Sequence, residues 1–252
     1  MVIRLLALLA AFVALALPLR AEEVLAGLSQ NRVALTASFD GSEILVFGAI
    51  RREAPIDEDH GALNVIVTIE GPSAPVTVWR KARRAGIWVN TDHVRIRLAP
   101  SFYAVATSAP FDEAILPEAD ERYRVSVPRA IRALGAALEE TPIFTEALIR
   151  IRERSGLYQL LEGAVEIERD TLFRTTITLP SNLTEGRYVT RILLTRGGEV
   201  IDRYETGIDV RKAGLERMLY QMAHRQPVLY GILAVLLATM LGWGASVAFR
   251  RF

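Results

Sequence analysis

The alternation of apolar and polar positions divides this chain into blocks of different period. From Glu22 to about Tyr103 the period is two, the mark of strands whose successive side chains face opposite sides. Val33, Leu35, Ala37 and Phe39 alternate with polar or small residues before an Asp40-Gly41-Ser42 turn. Ile44–Phe47 is a continuous apolar run ending at Gly48, which predicts a strand buried on both faces. Leu63, Val65, Val67 and Ile69 alternate again and close on Gly71-Pro72. Val76 and Val78 follow, then Ile87 and Val89. Val94, Ile96 and Leu98 then alternate with Arg95 and Arg97, so one face there is wet. Roughly six or seven strands with a turn signal every ~10 residues predict an immunoglobulin-like antiparallel sandwich over residues 22–110.

The period then changes. Residues 111–156 read as a helical connector. Pro128 can open a helix with Ile131, Leu134 and Leu138 on one face, and Thr141-Pro142 breaks it and starts another. In that second helix Phe144, Ala147, Leu148 and Ile151 form the apolar stripe. Glu146 comes early and Arg150, Arg152 and Arg154 late, an order that suits the helix dipole, and Ser155-Gly156 is a stop signal. Residues 157–212 form a second β region with strands at Val165–Glu168, Leu172–Leu179, Arg187–Arg196 and Glu199–Val210. Gly197-Gly198 is a two-residue hairpin turn. Four strands seldom stand alone, so these are expected to complete a second small barrel or sandwich with the middle helices or a strand of the first region.

Two apolar runs have no polar face. Leu5–Leu17 follows a single positive charge and precedes Ala21, which predicts a signal peptide over residues 1–21. Pro227–Phe249 carries no charged residue and as a helix reaches about 34 Å, enough to span a bilayer. Tyr230 and Trp243 lie towards its ends, and Arg250 and Arg251 follow in a cytoplasmic tail over 250–252. An exported domain held by a stop-transfer helix faces residues 22–212 outward, with one pass and a cytoplasmic C-terminus. Residues 213–226, with Leu215, Met218, Leu219 and Met222 at helical spacing, predict a juxtamembrane amphipathic helix. Within the span Ala234, Ala238, Gly242 and Ser246 recur every fourth position. Such a ridge lets another helix approach closely, so the span is expected to pack on a second copy or on an integral-membrane partner.

Composition sharpens this picture at three points. The chain is 51% hydrophobic, and the excess sits in the two terminal runs. The absence of Cys excludes disulfides, thiolate metal sites and a Cys nucleophile. Lys and Arg number 30 against 29 Asp and Glu, a net charge of +1 that gives no global field for nucleic acid, so the lipid bilayer is the expected partner and nucleic acid is not.

Candidate chemistry is sparse. Asp57-Glu58-Asp59-His60 lacks the alternating spacing and central Gly of a calcium loop and reads as a solvated loop. His93 follows Asp92, and no hydrolase elbow, zinc-protease helix or phosphate loop is present. No catalytic residue, metal ligand or cofactor is assigned. Arg80, Lys81, Arg83 and Arg84 place four positive charges on a hairpin tip. They either dock an anionic partner, ligand or headgroup or keep the tip soluble, and Asp57–Asp59 offers charge to neutralise them, which favours the second reading. Trp79, Trp88, Phe102 and Tyr103 suit a binding platform or a core. The candidate binding surface is Gly86, Trp88 and Asn90 together with Ser101, Phe102 and Tyr103.

Several segments carry a family resemblance: Leu28-Ser-Gln-Asn-Arg-Val-Ala-Leu35, Phe39-Asp-Gly-Ser-Glu-Ile-Leu-Val-Phe-Gly-Ala-Ile50, Gly86-Ile-Trp-Val-Asn90 and Pro100-Ser-Phe-Tyr103. Phe144–Tyr158, Leu172-Phe-Arg174 and Gln226-Pro-Val-Leu-Tyr-Gly231 belong with them. They resemble an uncharacterised alphaproteobacterial transmembrane protein family over nearly the whole mature chain. The resemblance implies an inner-membrane protein with a periplasmic domain. Members lie beside sulfite-exporter-like permeases, which implies an accessory role. The expected function is therefore a membrane-anchored binding or accessory protein partnering an inner-membrane protein such as a permease. The rivals are a hydrolytic enzyme of unfamiliar type and a structural spacer.

Overall fold

The computed structural model describes residues 22–36, 39–52, 61–131, 141–213, 220 and 222–249. The predicted signal peptide, Ala37, Asp57–His60, Leu134, Leu138, most of the juxtamembrane segment and the C-terminal tail lie outside the described residues.

Twelve strands are described, in two facing sheets and a two-stranded arm. The four-stranded sheet runs in the order β1 (Glu22–Leu28), β3 (Ser42–Arg52), β10 (Leu172–Leu179), β9 (Glu166–Glu168). The six-stranded sheet runs β2 (Arg32–Leu35), β12 (Glu199–Lys212), β11 (Gly186–Arg196), β4 (Leu63–Glu70), β7 (Tyr103–Thr107), β8 (Tyr158–Leu161). Residues 22–110 and 157–212 therefore share both sheets: β3 pairs with β10, and β4 with β11. Thr195 lies 131 positions from its hydrogen-bond partner Asn64. The two edges of the six-stranded sheet are parallel pairs, β12 with β2 and β7 with β8. A parallel neighbour needs a crossover, and the helical segment between β7 and β8 supplies one. The turn at Gly197-Gly198 forms as expected, both residues at positive φ.

The core lies between the sheets. Val24, Ile44, Val46, Phe173 and Ile177 face Val65, Val67, Ile69, Ile192 and Leu194, all buried. Gly48 belongs to this inner face because the Phe173 ring presses against it: a Cβ there would lie 2.5 Å from the ring. Burial of β3 and β4 inverts the reading from their sequences. β3, with its unbroken Ile44–Phe47, is covered on one face only, leaving Leu45 39% and Phe47 46% exposed. β4, with its alternating pattern, is buried on both faces from Asn64 to Ile69. The cause is the helical segment, which lies over the outer face of the six-stranded sheet.

That cover consists of α1 (Phe111–Ala114), α2 (Pro117–Tyr123) and α3 (Val127–Ala130). Polar bonds fix it to the sheet. Thr195 Oγ1 donates to Ala114 O at 2.6 Å. Tyr103 Oη donates to Val125 O at 2.8 Å, and Arg191 Nη1 donates to Tyr123 O at 2.8 Å. Asp120 accepts from the Val125 and Ser126 amides and from Ser126 Oγ, closing the chain behind α2. Burial of the Tyr103 hydroxyl pushes its ionisation well above the ordinary range, and burial raises Tyr158 to about 12. At the opposite end of the sheets Glu22 accepts from Arg52 at 3.1 Å and Arg196 at 2.6 Å, three side chains all mostly buried.

The remaining helices follow their end signals. α4 (Thr141–Arg154) starts at Thr141-Pro142 and stops at Gly156, whose φ is +69°. Phe144 and Leu148 are buried, whereas Ile151 is 58% exposed: the stripe is narrower than its four apolar residues suggest. α5 (Pro227–Phe249) contains a stretch from Pro227 to Ser246 long and apolar enough to cross a membrane, and none of it is buried against the rest of the chain.

Candidate functional site

Two surfaces carry features the fold does not use. The first is an arm. β5 (Ser73–Arg84) and β6 (Ile87–Pro100) pair only with each other. They continue β4 and β7 without a change of partner: Gly71 N donates to Phe102 O and Ser101 N to Pro72 O, bridging the break. Gly71-Pro72, which reads as a strand terminator, thus sits inside one long hairpin from Leu63 to Thr107. Eleven steps at ~3.3 Å carry the arm about 36 Å from Ser73 to Arg84.

The inner part of the arm rests on α4. Val78, Val94 and Ile96 are buried, and the Arg80 guanidinium stands 5.8 Å from the centre of the Phe144 ring. Beyond that point the arm is exposed. Its turn is Ala85-Gly86 with φ of 47° and 88°, the paired positive angles that match strand twist. Ile87 is 64% and Trp88 69% exposed. Arg83 faces Trp88 across the strands and Lys81 faces Asn90. Trp79 stacks on His93 at 4.4 Å between ring centres.

The basic cluster is divided by these contacts. Arg80 donates twice to Asp92 Oδ2, at 3.0 and 2.7 Å, and that bond, with a second from Thr91, holds the Asp92 carboxyl below its usual range. Lys81, Arg83 and Arg84 form no ion pair with the described residues. The neutralising charge is Asp92, on the facing strand; Asp57–Asp59 lie outside the described residues.

The six-residue binding surface does not assemble. Gly86, Trp88 and Asn90 are exposed at the tip, but Ser101 is 9% exposed and Phe102 and Tyr103 are fully buried where the arm meets the sheet. The Phe102 ring lies 6.1 Å from that of Tyr188, and the Tyr103 hydroxyl is bound under the helical cover. An aromatic pair fills a core as readily as it paves a surface, so the residue types alone do not separate the two. Asp92 and His93 do not converge either: neighbours in a strand leave on opposite faces, one onto Arg80 and the other onto Trp79. Among the described residues no three His, Asp or Glu side chains are grouped to hold a metal ion.

The second surface escaped the sequence reading. On the outer face of the four-stranded sheet the register aligns Leu25, Ala49 and Leu172 in one row and Gly27, Phe47 and Arg174 in the next. Leu25 is 51% and Leu172 53% exposed, and with Phe47 they line a hollow of about 620 Å³. The far end of the Phe47 ring approaches Gly27, where a Cβ would come within 3.2 Å of it. Glu166 and Glu168 border the hollow and hold Arg174 at 2.8 and 3.5 Å. The signal was present: Ile44–Phe47 is apolar at every position in a strand with only one covered face. On α5, Ala234, Ala238, Gly242 and Ser246 are exposed at four-residue intervals along one side.

Similarity to solved structures is slight. The sporulation control protein Spo0M of Bacillus subtilis aligns with 80% of this chain and 54% of its own length at 10% identity and a TM-score of 0.28. BslA, a bacterial hydrophobin, aligns with 78% of this chain and 99% of its own at 12% identity and a TM-score of 0.22. Neither likeness carries an argument about fold or function. No curated protein matches the sequence. The family model described as "Putative transmembrane protein (Alph_Pro_TM)" matches residues 23–251, from the first strand through the apolar helix, and the chain belongs to that family.

Proposed function

We propose that this protein is a membrane-anchored periplasmic accessory subunit that docks an inner-membrane protein, such as a permease, through the outer face of its four-stranded sheet. The observation that carries the reading is the exposed Leu25, Phe47 and Leu172 around half-buried Ala49, on an outward face that also leaves Leu45 39% exposed. Thr176 and Thr178, two and four residues beyond Arg174, follow the ordinary rule for a wet face, while Leu25 in β1, Leu45 and Phe47 in β3 and Leu172 in β10 break it. Contiguous apolar surface of this kind with a charged border is characteristic of protein contacts. The outward orientation is supported by the Leu5–Leu17 run read as an export signal.

Affinity purification of the full chain from membranes in mild detergent tests the partner. A stoichiometric integral-membrane protein is expected with the unaltered chain and is lost with Phe47→Glu or Leu172→Glu; repeated recovery of the chain alone defeats the reading. For orientation, alkaline phosphatase fused after Lys212 is expected to be active, and a silent fusion refutes a periplasmic domain.

A further inference from the structure

The direction in which the arm leaves the body gives it a place. β4 runs to Glu70, which pairs with Val189, and Val189 in turn faces Gly207 in β12. The last residues of β12 pair with β2 up to Lys212. The arm, starting at Ser73, therefore departs from the same end of the six-stranded sheet at which β12 leaves towards α5. Gly186, at that end of β11, confirms the adjacency: a Cβ on it would lie 2.8 Å from Pro72. Fourteen residues separate Lys212 from Pro227, a connection that reaches at most about 54 Å. The arm reaches about 36 Å on the same side.

Charge is distributed to match. Residues 73–100 hold six Lys and Arg against the single Asp92, so the arm carries +5 while the whole chain carries +1. Its tip combines a large indole, a branched aliphatic and unpaired basic side chains, namely Trp88, Ile87, Lys81, Arg83 and Arg84. Indoles favour the membrane–water boundary, and basic residues favour anionic headgroups. Keeping a Trp and an Ile two-thirds exposed at the end of a lever does nothing for the core, and an acidic protein partner would not by itself call for the apolar pair.

We infer that the β5–β6 arm is a second membrane contact: its tip inserts Ile87 and Trp88 at the headgroup level of the bilayer that holds α5, with Lys81, Arg83 and Arg84 on anionic lipid phosphates. This rests on the membrane anchor and not on the accessory reading, so the arm can fail with the partner intact, and the reverse.

The test uses the full chain with Trp79→Phe and Trp243→Phe, which leaves Trp88 as the one indole. The chain is reconstituted in vesicles of phosphatidylcholine alone or with one-third phosphatidylglycerol, each containing lipid brominated near the headgroup. Trp88 emission is expected to shift to the blue and be quenched in the anionic vesicles, and to be released by molar salt. Neutralising Lys81, Arg83 and Arg84 together to Gln weakens the engaged state roughly a hundred-fold, about a factor of five per charge. The salt titration on the unaltered tip gives the same information should the triple variant fold poorly. Unshifted, unquenched emission in anionic vesicles overturns the inference. So does quenching that is equal in the neutralised variant, or protection of Trp88 that arises only when a membrane protein is added.

Discussion

One hairpin contains two regions with the same pairing and opposite surroundings. Its inner half, β4 with β7, is flanked by β11 and β8, covered by α1–α3 and buried on both faces. Its outer half, β5 with β6, has no neighbouring strand and is exposed from Lys81 to Asn90 apart from partly covered Ala82 and Val89. Backbone hydrogen bonds are continuous through both. What separates them is burial, which supplies most of the free energy. The inner half holds the protein together, and the outer half is left free to present side chains outward.

The contrast can be tested by matched truncations. Ile66→Ala in the inner half is expected to cost about 3 kcal/mol in unfolding of the full chain in mild detergent, because Ile66 is fully buried and its truncation leaves a cavity. An alkaline titration probes the same half from another side. Tyr158 ionises near 12 when folded and near 10 when free, and its hydroxyl donates to Pro100 O. Its raised ionisation contributes stability present in full below pH 10 and lost as pH rises from 10 towards 12. The loss amounts to about 2–3 kcal/mol, which urea unfolding at stepped pH would register. Tyr103→Phe deprives Val125 O of its donor under the helical cover and is expected to cost about 1–2 kcal/mol, with faster amide exchange in residues 117–131. Ile87→Ala at the tip, nearly the same truncation as at Ile66, is expected to change stability by less than ~0.5 kcal/mol. A large effect there would mean the outer half is structural, and the contrast would collapse.

Local features were legible from the residues. The Gly197-Gly198 turn, the start of α4 at Pro142, its stop at Gly156, the apolar span and most strand positions follow from chemistry within a few residues of each site. What was not legible depends on distant chain. Whether the second face of a strand is wet is decided by what lies across it. So β3 and β4 exchanged environments relative to their patterns, and the apolar row of Leu25, Phe47 and Leu172 came together only through pairing between β1, β3 and β10. Ser101–Tyr103 failed as a surface for the same reason, since α4 and the helical cover close over them: Arg152 Nη1 donates to Ser101 O at 3.1 Å. The arm was hidden by Gly71-Pro72, a dipeptide that normally ends a strand and here only interrupts it.

The shared sheets also set an order of assembly. Glu22 waits 174 residues for Arg196, and the Val24 amide waits 178 for the Asp202 carboxylate. A chain that emerges from its N-terminus therefore cannot complete the β1 edge of the four-stranded sheet until residue 202 has been delivered. The hairpin from Leu63 to Thr107 is the largest unit whose partners are close in sequence, and closing a short loop costs far less entropy than closing a long one. It is the natural nucleus, a pre-formed template on which β11 must later dock. Until then β3 and β4 present bare edges, and the protein is most vulnerable to aggregation during its own delivery, before its final strands arrive.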